Sequence, residues 1–262
     1  MHAPASWRRV SGEVQVWLAD TEQLEIPLRI LEGLLSPFEV SRAERFLLEE
    51  HRFRYVARRG WLRLILSRYL TCGPAALDFG CGEHGKPFLA SHPELCFSVA
   101  HSDRLVLLAV AWASPVGVDL EKVTAAADGM AIADRFFSAR ERSELRRLPE
   151  EQRQAAFLRG WTRKEAYVKA LGTGLACPLD SFTVSLAAQG VSRLLESREN
   201  PQEVEAWTFL DLPPIPGFAA SLVTRGTPKN LQCWKWYEQP TAASPWGVER
   251  SAEMRDGVRA AG

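Results

Sequence analysis

Arg59-Gly60-Trp61-Leu62-Arg63 returns one hundred positions later as Arg159-Gly160-Trp161-Thr162-Arg163. Each copy enters a stretch with helical apolar spacing that stops at a glycine-containing turn, Thr71-Cys72-Gly73-Pro74 in the first case and Leu171-Gly172-Thr173-Gly174 in the second. Strand-like runs follow both. A five-residue echo with one mismatch is compatible with chance. It is also what a duplicated α+β unit leaves behind, and regular self-similarity is the reason to look for one. On that second reading the two halves face each other, and the cleft between them is the natural ligand site.

Working outward, Glu13 to Leu18 alternates as a strand, with Val14, Val16 and Leu18 on one side. A helix is expected near Ser41, with Glu44 as the capping-box partner. A second helix is expected over 53–70. Residues 78–94 read as loop. Phe97 to Val99 and Leu105 to Trp112 read as a strand pair turning at His101-Ser102-Asp103, and Val116 to Val123 as another strand. Helices are expected over 130–147 and 150–171, then strands near 204–210 and 218–224. The division is 1–112, 113–237 and a Pro/Ala/Gly-rich tail over 238–262 that reads as disordered.

The chain has 262 residues, with 32 Lys plus Arg against 32 Asp plus Glu. Zero net charge argues against a general nucleic-acid binder. No apolar run approaches the roughly 20 residues of a membrane helix, and the N-terminus lacks a signal peptide's apolar core. Five cysteines make no disulfide framework, so a reducing cytoplasmic compartment is expected.

Chemistry concentrates in two places. In Val116-Gly117-Val118-Asp119-Leu120-Glu121 the valines and the leucine point one way along a strand, and Gly117, Asp119 and Glu121 the other. Two adjacent carboxylates repel unless a cation or strong donors lie between them, and Mg²⁺ or Mn²⁺ suits an all-oxygen site. The plain alternative is a solvated strand edge. In Trp161-Thr162-Arg163-Lys164-Glu165-Ala166-Tyr167-Val168-Lys169, Glu165 and Lys169 share a helix face. Alone they read as an exposed ion pair. With Asp119 and Glu121 they supply a third acid and a phosphate-neutralising lysine. Two decoys fail. Leu77 to Gly85 resembles the glycine motif of S-adenosylmethionine-dependent methyltransferases but lacks the strand before it and the helix after it. Cys72, Cys81, His84, His92 and Cys96 lack zinc-ligand spacing.

The pair G-V-D-L-E-K at 117–122 and W-T-R-K-E-A-Y-V-K at 161–169 resembles the signature of 4′-phosphopantetheinyl transferases. The F-x-x-x-x-x-x-x-R pattern ending at Arg54, Gly85-Lys86-Pro87, the stretch up to His101-Ser102, Arg135-Phe136-Phe137-Ser138 with Glu141, and Pro178 to Phe182 resemble its long, surfactin-type branch. The resemblance implies a monomer with two similar α+β halves related by a pseudo-twofold and coenzyme A in the cleft. It implies Mg²⁺ or Mn²⁺ on Asp119, Glu121 and Glu165, with Glu165 and Lys169 catalytic and Glu141 as support. Arg54 and His101 would hold the 3′-phosphate, Lys86 and Pro87 the adenine side, and Lys164 and Lys169 phosphate. The partner would be an acyl or peptidyl carrier protein, whose serine receives phosphopantetheine as 3′,5′-ADP leaves. A non-catalytic relative binding coenzyme A or a carrier is the alternative from another class. Ala100 stands where the family often has serine, a loss of about 0.5–1.5 kcal/mol for one hydrogen bond, with Ser102 the candidate replacement.

Overall fold

A computed structural model describes residues 11–124, 129–188, 191–237 and 247–250. The chain runs β1 (Glu13–Asp20), α1 (Leu28–Glu32), α2 (Pro37–Glu44), α3 (Glu49–Leu70), β2 (Phe79–Cys81), β3 (Pro87–Leu89), β4 (Leu95–Ser102) and β5 (Leu105–Trp112). It continues through β6 (Val116–Lys122), α4 (Gly129–Phe136), α5 (Ala139–Arg147), α6 (Glu150–Leu171), β7 (Phe182–Val184), β8 (Leu194–Ser197), α7 (Glu203–Ala206), β9 (Trp207–Asp211), β10 (Phe218–Arg225), β11 (Asn230–Tyr237) and β12 (Gly247–Arg250).

One topology occurs twice. A strand leads through a helix capped by a Ser/Glu box to a helix of 22 residues, then to a two-stranded hairpin and an antiparallel strand pair. In each copy the last strand sits in the middle, giving β1-β5-β4 and β6-β10-β9. Both long helices end on a left-handed residue, Thr71 (φ 54°) and Gly172 (φ 75°). The echo that suggested duplication has a packing reason. Gly60 lies against the backbone of Leu31, and Gly160 against Phe137 and Leu186, so a side chain at either position would push its helix off the layer beneath. The adjacent Trp61 is fully buried in the first half. The expected α+β fold with two similar halves is what the topology shows.

Several expectations need correction. The helix expected at Ser41 begins at Pro37. Ser36 accepts the Glu39 N–H while Glu39 accepts the Ser36 N–H, and Pro37 fills the first helical position. The loop expected over 78–94 contains the β2–β3 hairpin. His101 lies within β4 rather than in a turn, because the chain reverses at Asp103, whose φ is 52°. The helix expected over 130–147 is two helices, broken at Phe137-Ser138 by a second capping box with Glu141. The region 113–237 is not all second half. β11 returns to the first sheet and runs parallel to β1 from Glu13↔Asn230 to Leu18↔Lys235. The tail expected to be disordered has one described part, β12, which pairs with β11; the rest lies outside the described residues.

The two sheets meet where β4 runs alongside β6. Among the described residues no strand ladder joins them. Instead Ser98 Oγ accepts the Val118 N–H (3.1 Å) and Ser102 Oγ accepts the Lys122 N–H (3.0 Å). Ala100, the rung between, is buried in the apolar core that the two sheets share. Opposite it in this register, the Leu120 N–H bonds the Asp119 carboxylate instead. Ser102, expected as a phosphate ligand, is thus committed to the seam. On the other face of β6 lies α6, so both faces of the strand are covered, as its run of buried residues from Val116 to Leu120 shows. Gly117 permits this. A methyl group there would overlap the Ala166 carbonyl oxygen and the Ala170 nitrogen of α6.

Candidate active site

The contact of Gly117 with α6 brings the strand acids under the helix that carries Glu165 and Lys169. Lys169 Nζ donates to Asp119 Oδ1 at 2.7 Å, a pair formed between elements rather than along the helix. Asp119 is 4% exposed, and its other oxygen, Oδ2, is buried with no hydrogen-bond partner. Burial drives the Asp119 carboxyl above its usual range, while Lys169 and the Leu120 N–H oppose the rise. Glu121 is half-buried. Its carboxylate takes a hydrogen bond from Trp161 and a long one from Ser102 Oγ at 3.5 Å. Burial and the charge of Asp119 push it upward. Glu165 is raised by burial, then by Asp119, with Lys169 opposing and Glu121 adding. Each acid is thus felt by at least one other.

Among the described residues no three His, Cys, Asp or Glu side chains form a ready-made ligand shell. This removes the zinc decoy, and all five cysteines are free. It also means that the expected three-acid shell of Asp119, Glu121 and Glu165 is not closed in this arrangement; a lysine ammonium neutralises Asp119 instead. The donor set still fits a hard divalent cation. It is all carboxylate, it carries an orphaned buried oxygen, and burial raises the acids toward protonation, a cost that a bound cation would offset.

Two adjoining cavities flank these residues. One, of about 540 Å³, is lined by Glu165, Lys169, Lys86, Pro87, Arg135 and Asp180, among others. The second, of about 690 Å³, shares Gly85, Pro87 and Val99 with the first and reaches His101, Arg42, Arg58 and Arg59. Of the expected residues, Glu165, Lys169, Lys86 and Pro87 therefore line the first cavity, and Pro87 and His101 the second. Lys86 lines it with its stem, but its ammonium is committed across the halves, to the carbonyls of Val116 and Ala170, both at 3.1 Å. Desolvation in the cleft, with Arg58 and Lys169 nearby, pushes the His101 imidazole down to about 4, so it is neutral at pH 7.

Three expectations fail here. Arg54 faces neither cavity. It is held by Glu50 (2.9 Å), Glu22 (3.1 Å) and Asp103 (3.3 Å) and lines a separate depression. Lys164 lines neither cavity. It is fully buried, ion-paired with Glu141 at 2.9 Å, and donates to the Leu179 and Phe182 carbonyls. Glu141 supports the fold rather than the metal: it caps α5, accepts the Val184 N–H and holds Lys164. A charged pair with no exposed surface survives only when each member is fully satisfied, as both are here. Sequence reasoning missed Arg58 and Arg42 as cavity residues. The helical spacing of Arg58 from Arg54, one turn on, was the available signal.

The sequence profile of the 4′-phosphopantetheinyl transferase superfamily matches residues 115–223, which span the acids of β6 and all of α6. The 4′-phosphopantetheinyl transferase HetI of Nostoc sp. is 36% identical over 236 residues, covering 89% of this chain and 96% of the relative. The 4′-phosphopantetheinyl transferase Sfp of Bacillus subtilis is 32% identical over 176 residues, 67% of this chain and 77% of its own length. Among solved structures, the holo-[acyl-carrier-protein] synthase of Thermotoga maritima is similar at 22% identity over 43% of this chain and 63% of its own, with a TM-score of 0.33, too low to support an argument.

Proposed function

The chain belongs to the 4′-phosphopantetheinyl transferase superfamily, and on that premise we propose that it moves the 4′-phosphopantetheine of coenzyme A to a serine hydroxyl of an apo carrier protein, releasing 3′,5′-ADP. The serine oxygen attacks the β-phosphorus, and the bond to the departing nucleotide phosphate breaks. Phosphoryl chemistry of this kind depends on positioning and charge neutralisation.

Asp119, Glu121 and Glu165 would hold Mg²⁺ or Mn²⁺, which when bound neutralises pyrophosphate charge. The observation that carries this reading is the meeting of a helix acid and two strand acids at the seam, with Asp119 Oδ2 buried and unpartnered. Lys169 then has two positions to serve. It is ion-paired with Asp119, and its side chain, one-third exposed, lines the cavity where phosphates would lie. Glu165 is the general base for the serine proton. Its raised proton affinity makes it a better acceptor than an ordinary surface carboxylate. The protein acts as a monomer, since both halves of the cleft come from one chain. No helix among the described residues is long and apolar enough to cross a membrane.

The test is direct. Purified protein, coenzyme A, Mg²⁺ and an apo carrier should yield carrier heavier by one phosphopantetheine, and EDTA should abolish the gain. Tight coenzyme A binding with no mass gain on carriers from several pathways would favour the binding-only alternative.

A further inference from the structure

The β2–β3 hairpin reaches out of the first half and packs on the C-terminal end of α6. Two glycines in the turn after that helix make room for it. A Cβ on Gly172 would stand 3.2 Å from the side-chain stem of Lys86, and one on Gly174 would stand 2.9 Å from the His84 carbonyl oxygen. The hairpin is closed by Gly82, whose N–H donates to the Lys86 carbonyl at 2.8 Å. Lys86 thus enters the seam from a braced turn, and its ammonium donates to the Val116 and Ala170 carbonyls, both at 3.1 Å.

The place of those two carbonyls gives the bridge its meaning. Val116 precedes Gly117 in β6, and Ala170 follows Lys169 in α6. Gly117 is where strand and helix meet backbone to backbone, and Lys169 is what that meeting delivers to Asp119. One ammonium therefore ties the same strand to the same helix, a single residue away from each of these points. The Ala170 carbonyl lies in the last turn of α6, where the helix supplies no partner of its own and its dipole favours a cation. Burial pushes the Lys86 ammonium below its usual range. To meet a phosphate it would have to abandon both carbonyls and leave them bare in the seam.

We propose that Lys86 is a positioning residue: by clamping the start of β6 to the last turn of α6, it holds Glu165 and Lys169 in register with Asp119 and Glu121, and it acts on the reaction through them rather than as a ligand of the donor. This rests on the transferase reading and deepens it. It also gives the first half, whose strands and helices carry none of these four residues, a direct part in arranging them.

The experiment compares the wild type with Lys86→Met, which keeps the stem and removes the donors, and Lys86→Arg, which keeps donors and charge. Four quantities are read: kcat and KM for coenzyme A with an apo carrier, Mn²⁺ affinity by electron paramagnetic resonance without substrate, 3′,5′-ADP affinity by calorimetry, and deuterium uptake of the segment 165–173. Lys86→Met should lower kcat and Mn²⁺ affinity, each on the order of tenfold, and speed exchange in the segment, while KM and 3′,5′-ADP affinity stay within about twofold. Lys86→Arg should recover most of the lost kcat and Mn²⁺ affinity. Raised KM and weakened 3′,5′-ADP binding with native kcat and Mn²⁺ affinity would make Lys86 a donor ligand and overturn the proposal. A lowered Tm with all four quantities native would also overturn it, leaving a purely structural lysine. Should Lys86→Met not fold, Lys86→Gln, too short to span both carbonyls, is read by the same criteria. A wild type that modifies no carrier refutes the transferase reading itself, while the Mn²⁺ and exchange measurements still decide the clamp.

Discussion

The close approach of β6 to α6 can be broken with one methyl group. In Gly117→Ala the new Cβ would overlap the carbonyl oxygen of Ala166 and the nitrogen of Ala170, and would stand 3.0 Å from the Ala170 Cα. These are backbone atoms of a helix, so no side-chain rotation relieves the clash. Carbon atoms in good contact stand about 3.5–4.0 Å apart, so α6 must lift from the strand by roughly 1 Å. The Lys169–Asp119 bond, 2.7 Å in the native protein, would then stretch beyond hydrogen-bond range. Overpacking of this kind costs about 1–3 kcal/mol, which for a chain this size lowers Tm by roughly 2–4 °C per kcal/mol. A displacement of about 1 Å between reacting groups costs on the order of 10²-fold in rate. The assay is thermal unfolding together with transfer to an apo carrier at saturating coenzyme A and Mg²⁺. Val118→Ala is the control, since it loosens the opposite face of the same strand and should destabilise with little effect on rate. A Gly117→Ala enzyme with native Tm and native turnover would refute the coupling of this contact to the site.

Other outcomes follow from the same structure. Lys164→Ala should cost about 3–5 kcal/mol, because it strands a fully buried carboxylate, while the folded fraction at low temperature keeps the native KM for coenzyme A; a raised KM with native stability would return Lys164 to the phosphates. Glu165 has its proton affinity raised on folding, so its contribution is intact below the ordinary carboxylate range and lost as pH climbs through the raised value. Glu165→Gln should therefore raise the Tm of EDTA-treated protein at pH 8 and leave it unchanged at pH 4; equal shifts at both values would contradict this. His101 has the opposite sign: its folded value of about 4 lies below the ordinary 6.5, so stability is lost as pH falls through that interval. Its imidazole resonances, followed by NMR, should titrate near 4 in the free protein and at higher pH with coenzyme A bound. An unmoved midpoint would place the donor's phosphates elsewhere.

Much of this architecture is legible in the chain, and the failures have physical causes. The Arg-Gly-Trp echo marks the two 22-residue helices because close packing demands a glycine at the same place in each. Ser36/Glu39 and Ser41/Glu44 have the same spacing, so the capping-box pattern alone does not choose between them; Pro37, at home in a first helical turn, is the discriminating residue. Asp119, Glu121, Glu165 and Lys169 are legible through the paired motifs at 117–122 and 161–169 and the family these resemble; taken alone, the strand acids also read as a solvated edge and the helix pair as a surface ion pair. That Lys169 reaches across to Asp119 is not legible, because helix spacing offers Glu165 as the nearer acid. Its place beside Glu165 in the sequence directs Lys164 toward phosphate. Adjacent helical residues point about 100° apart, and here that angle separates a cleft from a dry interior. Arg54 was overtaken by Glu22 and Asp103, which lie far from it in the chain.

The parallel pairing of β1 with β11 has a bearing on how the molecule is made. The opening strand of the chain waits for residues 230–237 before its second edge is covered. During synthesis the amino-terminal sheet must therefore spend most of translation with a sticky flank open to other nascent chains. A product terminated after Arg225 would carry every acid of the reaction centre, yet it would be born with that flank permanently bare, and its fate should be decided by chaperones and proteases before its chemistry is ever tried.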